Sequence, residues 1–174
     1  MDPLTADLLA AQSGDRLAFA AVVRTAQADV WRLCAHLVDR SEADDLTQET
    51  FVRVVRALPG FRGDASARTW ILAIARRACA DALRRTVRTR RRDAAASTLD
   101  GDATVSDTPD RAIVDALLAA LDLDQRAAFV LTQLHGLSYA EAAEVCGVPI
   151  GTIRSRVARA RMALVESVRA ADAV

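Results

Sequence analysis

Residues 138–161 read Ser-Tyr-Ala-Glu-Ala-Ala-Glu-Val-Cys-Gly-Val-Pro-Ile-Gly-Thr-Ile-Arg-Ser-Arg-Val-Ala-Arg-Ala-Arg, and few local folds accommodate that order of signals. Ser138 with Glu141 three positions later predicts a capping box, in which each side chain satisfies a backbone N–H of the first helical turn. Gly147 supplies the left-handed residue that stops this helix. In the helix that follows, Ile153, Val157, Ala160 and Leu164 recur at helical spacing as one apolar stripe. Thr152, Ser155 and Arg159 point away from the stripe and Arg154 and Arg156 flank it, the layout a recognition helix needs in a major groove. Taken alone, an arginine-rich amphipathic helix is equally a solvated surface helix, and helix pairs with short turns occur in plain bundles. The cap, the glycine stop and the close second helix together predict a helix-turn-helix aimed at DNA.

The rest of the composition fits a folded, helical chain. At 174 residues, 52% hydrophobic and 26% charged, it is long enough for one large or two small domains, and its abundant alanine favours helix. All 23 basic residues are arginine. Cys34, Cys79 and Cys146 lie far apart without a C-x-x-C spacing, and His36 and His135 have no partner ligands nearby in sequence. Reduced, buried thiols in a cytosolic protein are therefore expected, with no metal and no cofactor. The N-terminus lacks a basic region before an apolar one and no stretch approaches membrane-spanning length, so a cytoplasmic chain without membrane insertion is expected.

A net charge of zero hides a sorted distribution. Residues 62–92 carry ten arginines against Asp64 and Asp81, residues 93–124 carry Arg111 against eight aspartates, and residues 151–169 carry five arginines against Glu166. Two basic stretches separated by an acidic one predict two DNA-facing surfaces and a connector of different purpose. The acidic stretch, lying next to a basic one, is expected to fold back on it in the free chain.

From about Thr5 to Arg92 the pattern is helical almost throughout. Phe19, Val22, Val23, Ala26, Val30, Leu33 and Leu37 form one stripe; after a break at Asp39–Glu42 a second helix opens near Asp44, with Phe51, Val54, Val55 and Leu58 on its buried side. Pro59-Gly60 ends it, residues 61–67 read as a loop, and a third helix from about Ser66 carries Trp70, Ile71, Ile74 and Cys79 among a rising density of arginine. Residues 93–107 are small, polar and acidic with no stripe, and read as a flexible linker. Thr108-Pro109-Asp110 caps a new helix with Ile113, Leu117 and Leu121 on its apolar edge, and a further helix spans roughly Asp122 to His135. The expected architecture is all-α: two helical lobes, residues 1–92 and 108–174, joined by the linker at 93–107.

With these segments in order, the chain resembles a bacterial RNA polymerase sigma factor of the extracytoplasmic-function type. Residues 44–58, Asp-Asp-Leu-Thr-Gln-Glu-Thr-Phe-Val-Arg-Val-Val-Arg-Ala-Leu, resemble the family's polymerase-clamp-binding helix. Residues 61–85 resemble its promoter-melting and −10-reading segment, and residues 136–161 its −35-reading helix-turn-helix. The resemblance implies that Asp45, Gln48 and Glu49, which share one face at i, i+3 and i+4, dock on core RNA polymerase. It implies that Phe61, Arg62, Trp70, Arg76, Arg77, Arg84 and Arg85 capture and melt the −10 region, where aromatic and cationic groups together suit single-stranded DNA. Thr152, Arg154, Ser155, Arg156 and Arg159 would then read the −35 element. Arg77 stands where the family often has asparagine, so the −10 preference does not carry over from relatives. Core polymerase and promoter DNA are the implied partners, and an anti-sigma factor is a further one the family allows. No nucleophile and base pair, metal site or phosphate loop is present in the sequence, so the chain is not expected to be an enzyme. Two other readings stand beside this one: a conventional helix-turn-helix regulator whose N-terminal lobe senses a ligand or dimerises, and an all-helical interaction protein or enzyme with incidental arginines.

Overall fold

A computed structural model describes residues 1–94 and 109–172, and eight α-helices account for most of these. In chain order they are α1 Pro3–Gln12, α2 Arg16–Leu37, α3 Arg40–Ala57, α4 Ala67–Ala94, α5 Pro109–Ala119, α6 Leu123–Phe129, α7 Tyr139–Cys146 and α8 Ile150–Asp172. The linker expected at 93–107 lies outside the described residues apart from its first two, which extend α4.

Short polar caps set the helix starts. Asp2, Asp15, Asp39 and Asp122 each accept a backbone N–H of the following first turn, an arrangement that stabilises a helix by about 1 kcal/mol. Asp39 shortens the break expected at 39–42: its carboxylate accepts the Ser41 N–H at 2.8 Å, and α3 begins at Arg40 rather than near Asp44. The helix expected from Asp122 to His135 also departs from regularity. It is α-helical to Phe129, then widens into a π-helical turn over Val130–Leu134, closed by the His135 N–H on the Val130 carbonyl at 3.0 Å.

Helices α1 to α4 form the N-terminal lobe. Val22, Ala26, Val30, Leu33 and Leu37 of α2 are buried as the stripe requires, against Leu46 and Val54 of α3 and Ile71, Leu72 and Ala75 of α4. Phe19 and Val23 lie only partly covered at the edge of the stripe. On α3 the structure corrects the expected buried side, because Val54 and Leu58 are buried but Val55 is 51% exposed. Cys34, Cys79 and Cys146 are buried and free. Helices α5 to α8 form the C-terminal lobe around Leu118, Leu131, Ile153 and Val157. This lobe does not stand apart from the first. Helix α7 packs along α4, and α5, α6 and the π-helical turn pack on α2, so the buried residues of both lobes make one continuous core.

Candidate nucleic-acid interface

The helix-turn-helix forms as its sequence dictates. Ser138 Oγ accepts the Glu141 N–H at 3.2 Å, the Glu141 carboxylate accepts the Ser138 N–H at 2.8 Å, and Gly147 ends α7 at φ 66°. The Ser138 hydroxyl, donating to the Glu141 carboxylate at 2.7 Å, helps hold its pKa below the ordinary value. Ile153, Val157 and Ala160 seat α8 against the lobe with at most 1% of their surface exposed. Arg154 and Arg159 stand in solvent, while Thr152 and Ser155 are half-buried, the Ser155 hydroxyl donating to the Thr152 carbonyl at 2.9 Å. Arg161 turns aside to the Gln133 side-chain oxygen at 2.8 Å.

Arg156 goes elsewhere. Its Nη2 reaches Asp124 Oδ2 at 2.5 Å, and the other oxygen of the same carboxylate accepts Arg76 Nη2 of α4 at 2.6 Å. One aspartate thus holds one arginine from each lobe, and both arginines are largely buried, at 15% and 18% side-chain exposure. Two guanidiniums against one carboxylate leave an excess positive charge, and Arg76 Nε and Arg156 Nη1 are buried without a hydrogen-bond partner. Arg126 ties the lobes again, donating to the Leu37 carbonyl at the end of α2 at 2.8 Å and to the Ala119 and Leu121 carbonyls.

A second polar cluster lies farther along the same seam. Arg68 bridges Asp29 at 2.7 Å and the His135 carbonyl at 2.9 Å. His135 Nδ1 is 3.9 Å from Asp29. Burial pushes the His135 pKa down to about 4, with Asp29 opposing the shift and Arg32, Arg68 and His36 adding to it. Burial raises the pKa of Asp29, but hydrogen bonds from Arg68 and Arg32 outweigh it and hold the carboxyl below its ordinary value. Asp124, Arg126, Arg68 and Asp29 have no place among the candidate site residues read from sequence, and His135 enters that reading only as a histidine without nearby ligands. The signal for them lies in contacts between distant segments, and no local pattern carries it.

In the N-terminal lobe, Phe61 is buried and its ring meets Trp70 at 5.0 Å between centroids, tilted by 53°, a contact worth about 0.5–1.5 kcal/mol beyond its buried area. Arg62 projects from the loop beside Asp64 at 3.2 Å, and Gly63 takes φ 76° there. Arg77 is exposed. Arg84 and Arg85 are exposed but paired, Arg84 with Asp81 at 2.5 Å and Arg85 with Glu49 at 3.3 Å. Arg53 joins Glu49 and, at 2.7 Å, Asp81, so these charges lace α3 to α4. The Arg53 guanidinium beside Asp81 holds that carboxyl below its usual range.

The three polar residues singled out on α3 therefore separate. Asp45 and Gln48 are exposed, whereas Glu49 is turned toward Arg53 and Arg85. Gln48 borders a groove of about 690 Å³ between α2 and α3, lined by Gln27, Trp31, Arg32, Asp44 and Thr47. Trp31 stands on its wall with Nε1 donating to Asp44 at 2.8 Å and the Arg40 guanidinium 5.1 Å above its ring. The groove continues into an apolar trough between Phe19, Val23, Phe51, Val52 and Val55. That trough is where the partly exposed Val55 faces.

Two family models match the chain, Sigma-70 region 2 over residues 22–89 and Sigma-70, region 4 over residues 111–164. The ECF RNA polymerase sigma factor SigC of Mycobacterium tuberculosis is 50% identical over 167 residues, covering 94% of this chain and 90% of the relative. The chain belongs to the extracytoplasmic-function sigma factors. Solved structures agree with the sequence relatives. CnrH in complex with the cytosolic domain of CnrY matches at a TM-score of 0.76 and 27% identity, covering 97% of this chain and 99% of that one. The sigma factor RpoE of Bartonella quintana, in complex with the anti-sigma factor NepR, matches at 0.74 and 27%, covering 87% and 96%. As a sigma factor the chain directs RNA polymerase to promoters and is a transcription initiation factor rather than a catalyst. No helix among the described residues is long and apolar enough to cross a membrane.

Proposed function

We propose that residues 1–92 bind core polymerase and capture and melt the −10 element, while residues 108–174 read the −35 element through α8, with residues 93–107 as the tether. The supporting observation is the placement of Arg154 and Arg159 on the solvent side of a helix whose other side is anchored by Ile153, Val157 and Ala160. Polymerase docks on Asp45, Gln48 and the groove beside them, and the cytoplasm, where polymerase works, is the site of action. The test is transcription in vitro by core polymerase with this chain added, followed by sequencing of the transcript starts. Starts sharing two upstream elements are expected, and starts sharing none would refute the assignment.

The packed form belongs to the free chain in this reading. With Arg76 and Arg156 both on Asp124, neither lobe presents its full cationic face to a promoter. Docking on polymerase then separates the lobes and releases both arginines. An anti-sigma partner belongs to this reading, supported by two structural neighbours, one solved with the anti-sigma factor NepR and one with the cytosolic domain of CnrY.

Two predictions arise from this assignment. Replacing Asp45 and Gln48 together with Ala is expected to weaken core binding in a titration by about fivefold, as loss of two exposed polar contacts would, with the helical circular dichroism unchanged; equal affinity would remove α3 from the docking surface. Replacing Arg159 with Ala is expected to weaken holoenzyme binding to a −35 duplex and to flatten its salt dependence by about one unit of slope if the contact is to phosphate. The Arg161→Ala variant, whose guanidinium is engaged by Gln133, should bind nearly as wild type. Equal losses in both would place the DNA on a different face of α8.

A further inference from the structure

Helix α1 carries none of the candidate site residues, yet it grips both ends of the loop that bears Arg62. At the leading end, Gln12 Nε2 donates toward the Leu58 carbonyl at 2.8 Å, the Pro59 carbonyl at 3.2 Å and the Phe61 carbonyl at 2.7 Å. These acceptors lie in and just after the 3-10 turn at Leu58–Gly60 that follows α3, where the helical chain runs out of its own donors. Three carbonyls converge on one side-chain nitrogen, so a donor is required there. At the trailing end, Thr5 Oγ1 accepts the Ala67 N–H at 2.9 Å, one of the first-turn donors of α4 that have no partner within the helix. The Thr5 hydroxyl donates to Asp2 at 2.6 Å, which leaves its oxygen as an acceptor toward Ala67.

Thr5 and Gln12 are separated by about two turns of one helix, so they share a face and stand roughly 10 Å apart along its axis. Leu4, Leu8 and Ala11 already seat α1 in the core, and the two polar side chains are directed instead to the loop backbone. Between the two grips Arg62, Gly63 and Asp64 stand exposed, whereas Phe61 and Ala67 at either side are buried. The position of the exposed tip relative to Trp70, whose ring meets Phe61, is therefore set by where the two ends are held.

Resting on the proposal that residues 61–85 capture the −10 element, we infer that Gln12 and Thr5 are positioning residues for that capture: they brace the two ends of the 58–67 segment so that Arg62 and Trp70 reach the unpaired strand in a fixed relation. Neither residue touches DNA in this role. A loop held in its binding conformation before the strand arrives loses less freedom on binding, and the affinity gained is the ordering cost avoided.

The experiment uses holoenzyme reconstituted from core polymerase and the full chain, with two probes taken from a promoter it transcribes: a non-template single strand spanning the −10 element and a −35 duplex. Gln12→Glu keeps the shape of the side chain but sets a carboxylate against three carbonyls, whereas Gln12→Lys changes the shape and keeps three N–H donors. Affinity for the −10 strand is expected to fall about tenfold with Gln12→Glu and to stay within about twofold of wild type with Gln12→Lys. Thr5→Val, which removes the acceptor at nearly constant shape, should lose about fivefold, and Thr5→Ser should restore it. Affinities for core polymerase and for the −35 duplex should move by less than about twofold in all four variants, as distant and independent sites do. A merely structural role would lower core affinity along with −10 capture. No loss of −10 affinity with Gln12→Glu, an equal loss with Gln12→Lys, or a core affinity that falls in step with −10 capture would each overturn the inference. Arg62→Ala on the same strand separates the brace from the reading beneath it. A loss with Arg62→Ala but none with Gln12→Glu removes only the brace, and no loss in either removes the loop as the −10 reader as well.

Discussion

The Asp124→Asn variant of the free chain is expected to bind promoter DNA about tenfold more tightly than wild type, whereas the corresponding holoenzymes bind alike. Among the described residues Asp124 is the one carboxylate paired with Arg76 and Arg156, and removing its charge leaves two guanidiniums facing each other in a seam where two of their nitrogens already lack partners. Deleting one member of a fully buried ion pair costs about 3–5 kcal/mol. Asp124 is itself 45% exposed, so solvent screening reduces this to about 1–2 kcal/mol. Spent on lobe packing, that is a factor of roughly ten in the population able to reach DNA. On the proposed reading docking on polymerase has already separated the lobes, so in holoenzyme the substitution has nothing to release. Electrophoretic mobility or fluorescence anisotropy at fixed salt measures both arms. Identical DNA affinity of the free variant and wild type, with the same hydrodynamic radius, would show that Asp124 does not hold the lobes together.

Acidification should open the same seam through a different group. His135 is neutral and buried against α2, with Asp29, Arg32, Arg68 and His36 around it, and its pKa of about 4 in the packed form lies below the 6.5 it recovers in water. A histidine whose pKa is lowered by packing contributes stability that is complete above pH 6.5 and is lost progressively as pH falls toward 4. At pH 5.5 the loss is about 1.4 kcal/mol, close to a tenfold shift toward separated lobes. Small-angle scattering of the free chain between pH 7.5 and 5.5 should show the radius of gyration rising. The His135→Gln variant, with no proton to gain, should flatten that rise. A profile that is flat in wild type, or equally steep in the variant, would assign the pH response to another group.

Local signals in the sequence located the DNA-facing helix pair and much of the helical framework. The Ser138–Glu141 box, the Gly147 stop and the buried Ile153–Val157–Ala160 stripe are all properties of residues within a few positions of one another, where capping and helical periodicity operate. The extent of α3 was less legible, since a cap at Asp39 and a break in the chain use the same polar residues. The stripe predicts a buried Val55 because it gives only an angle around the helix axis, and among the described residues none covers Val55 fully at that angle.

What the sequence by itself determined is therefore the inventory: all-helical lobes, a helix-turn-helix, an acidic helix face and two basic stretches. Which of those charges remain available was decided only by the tertiary structure. Arg154 and Arg156 are indistinguishable as flanking cations of one helix, yet Arg154 stands in solvent and Arg156 is held by Asp124, a residue 32 positions away. Arg76 and Arg77 are adjacent in sequence, and only Arg76 meets the same carboxylate, from 48 positions away. Asp45 and Glu49 share a face of α3, but Glu49 is taken up by Arg53 and by Arg85 of α4. Electrostatic pairing falls off steeply with distance in a screened solvent, so a charge is committed or free according to what packing brings within a few ångströms of it. Helical periodicity fixes the direction in which a side chain leaves its own helix, and says nothing of what the rest of the chain has placed there.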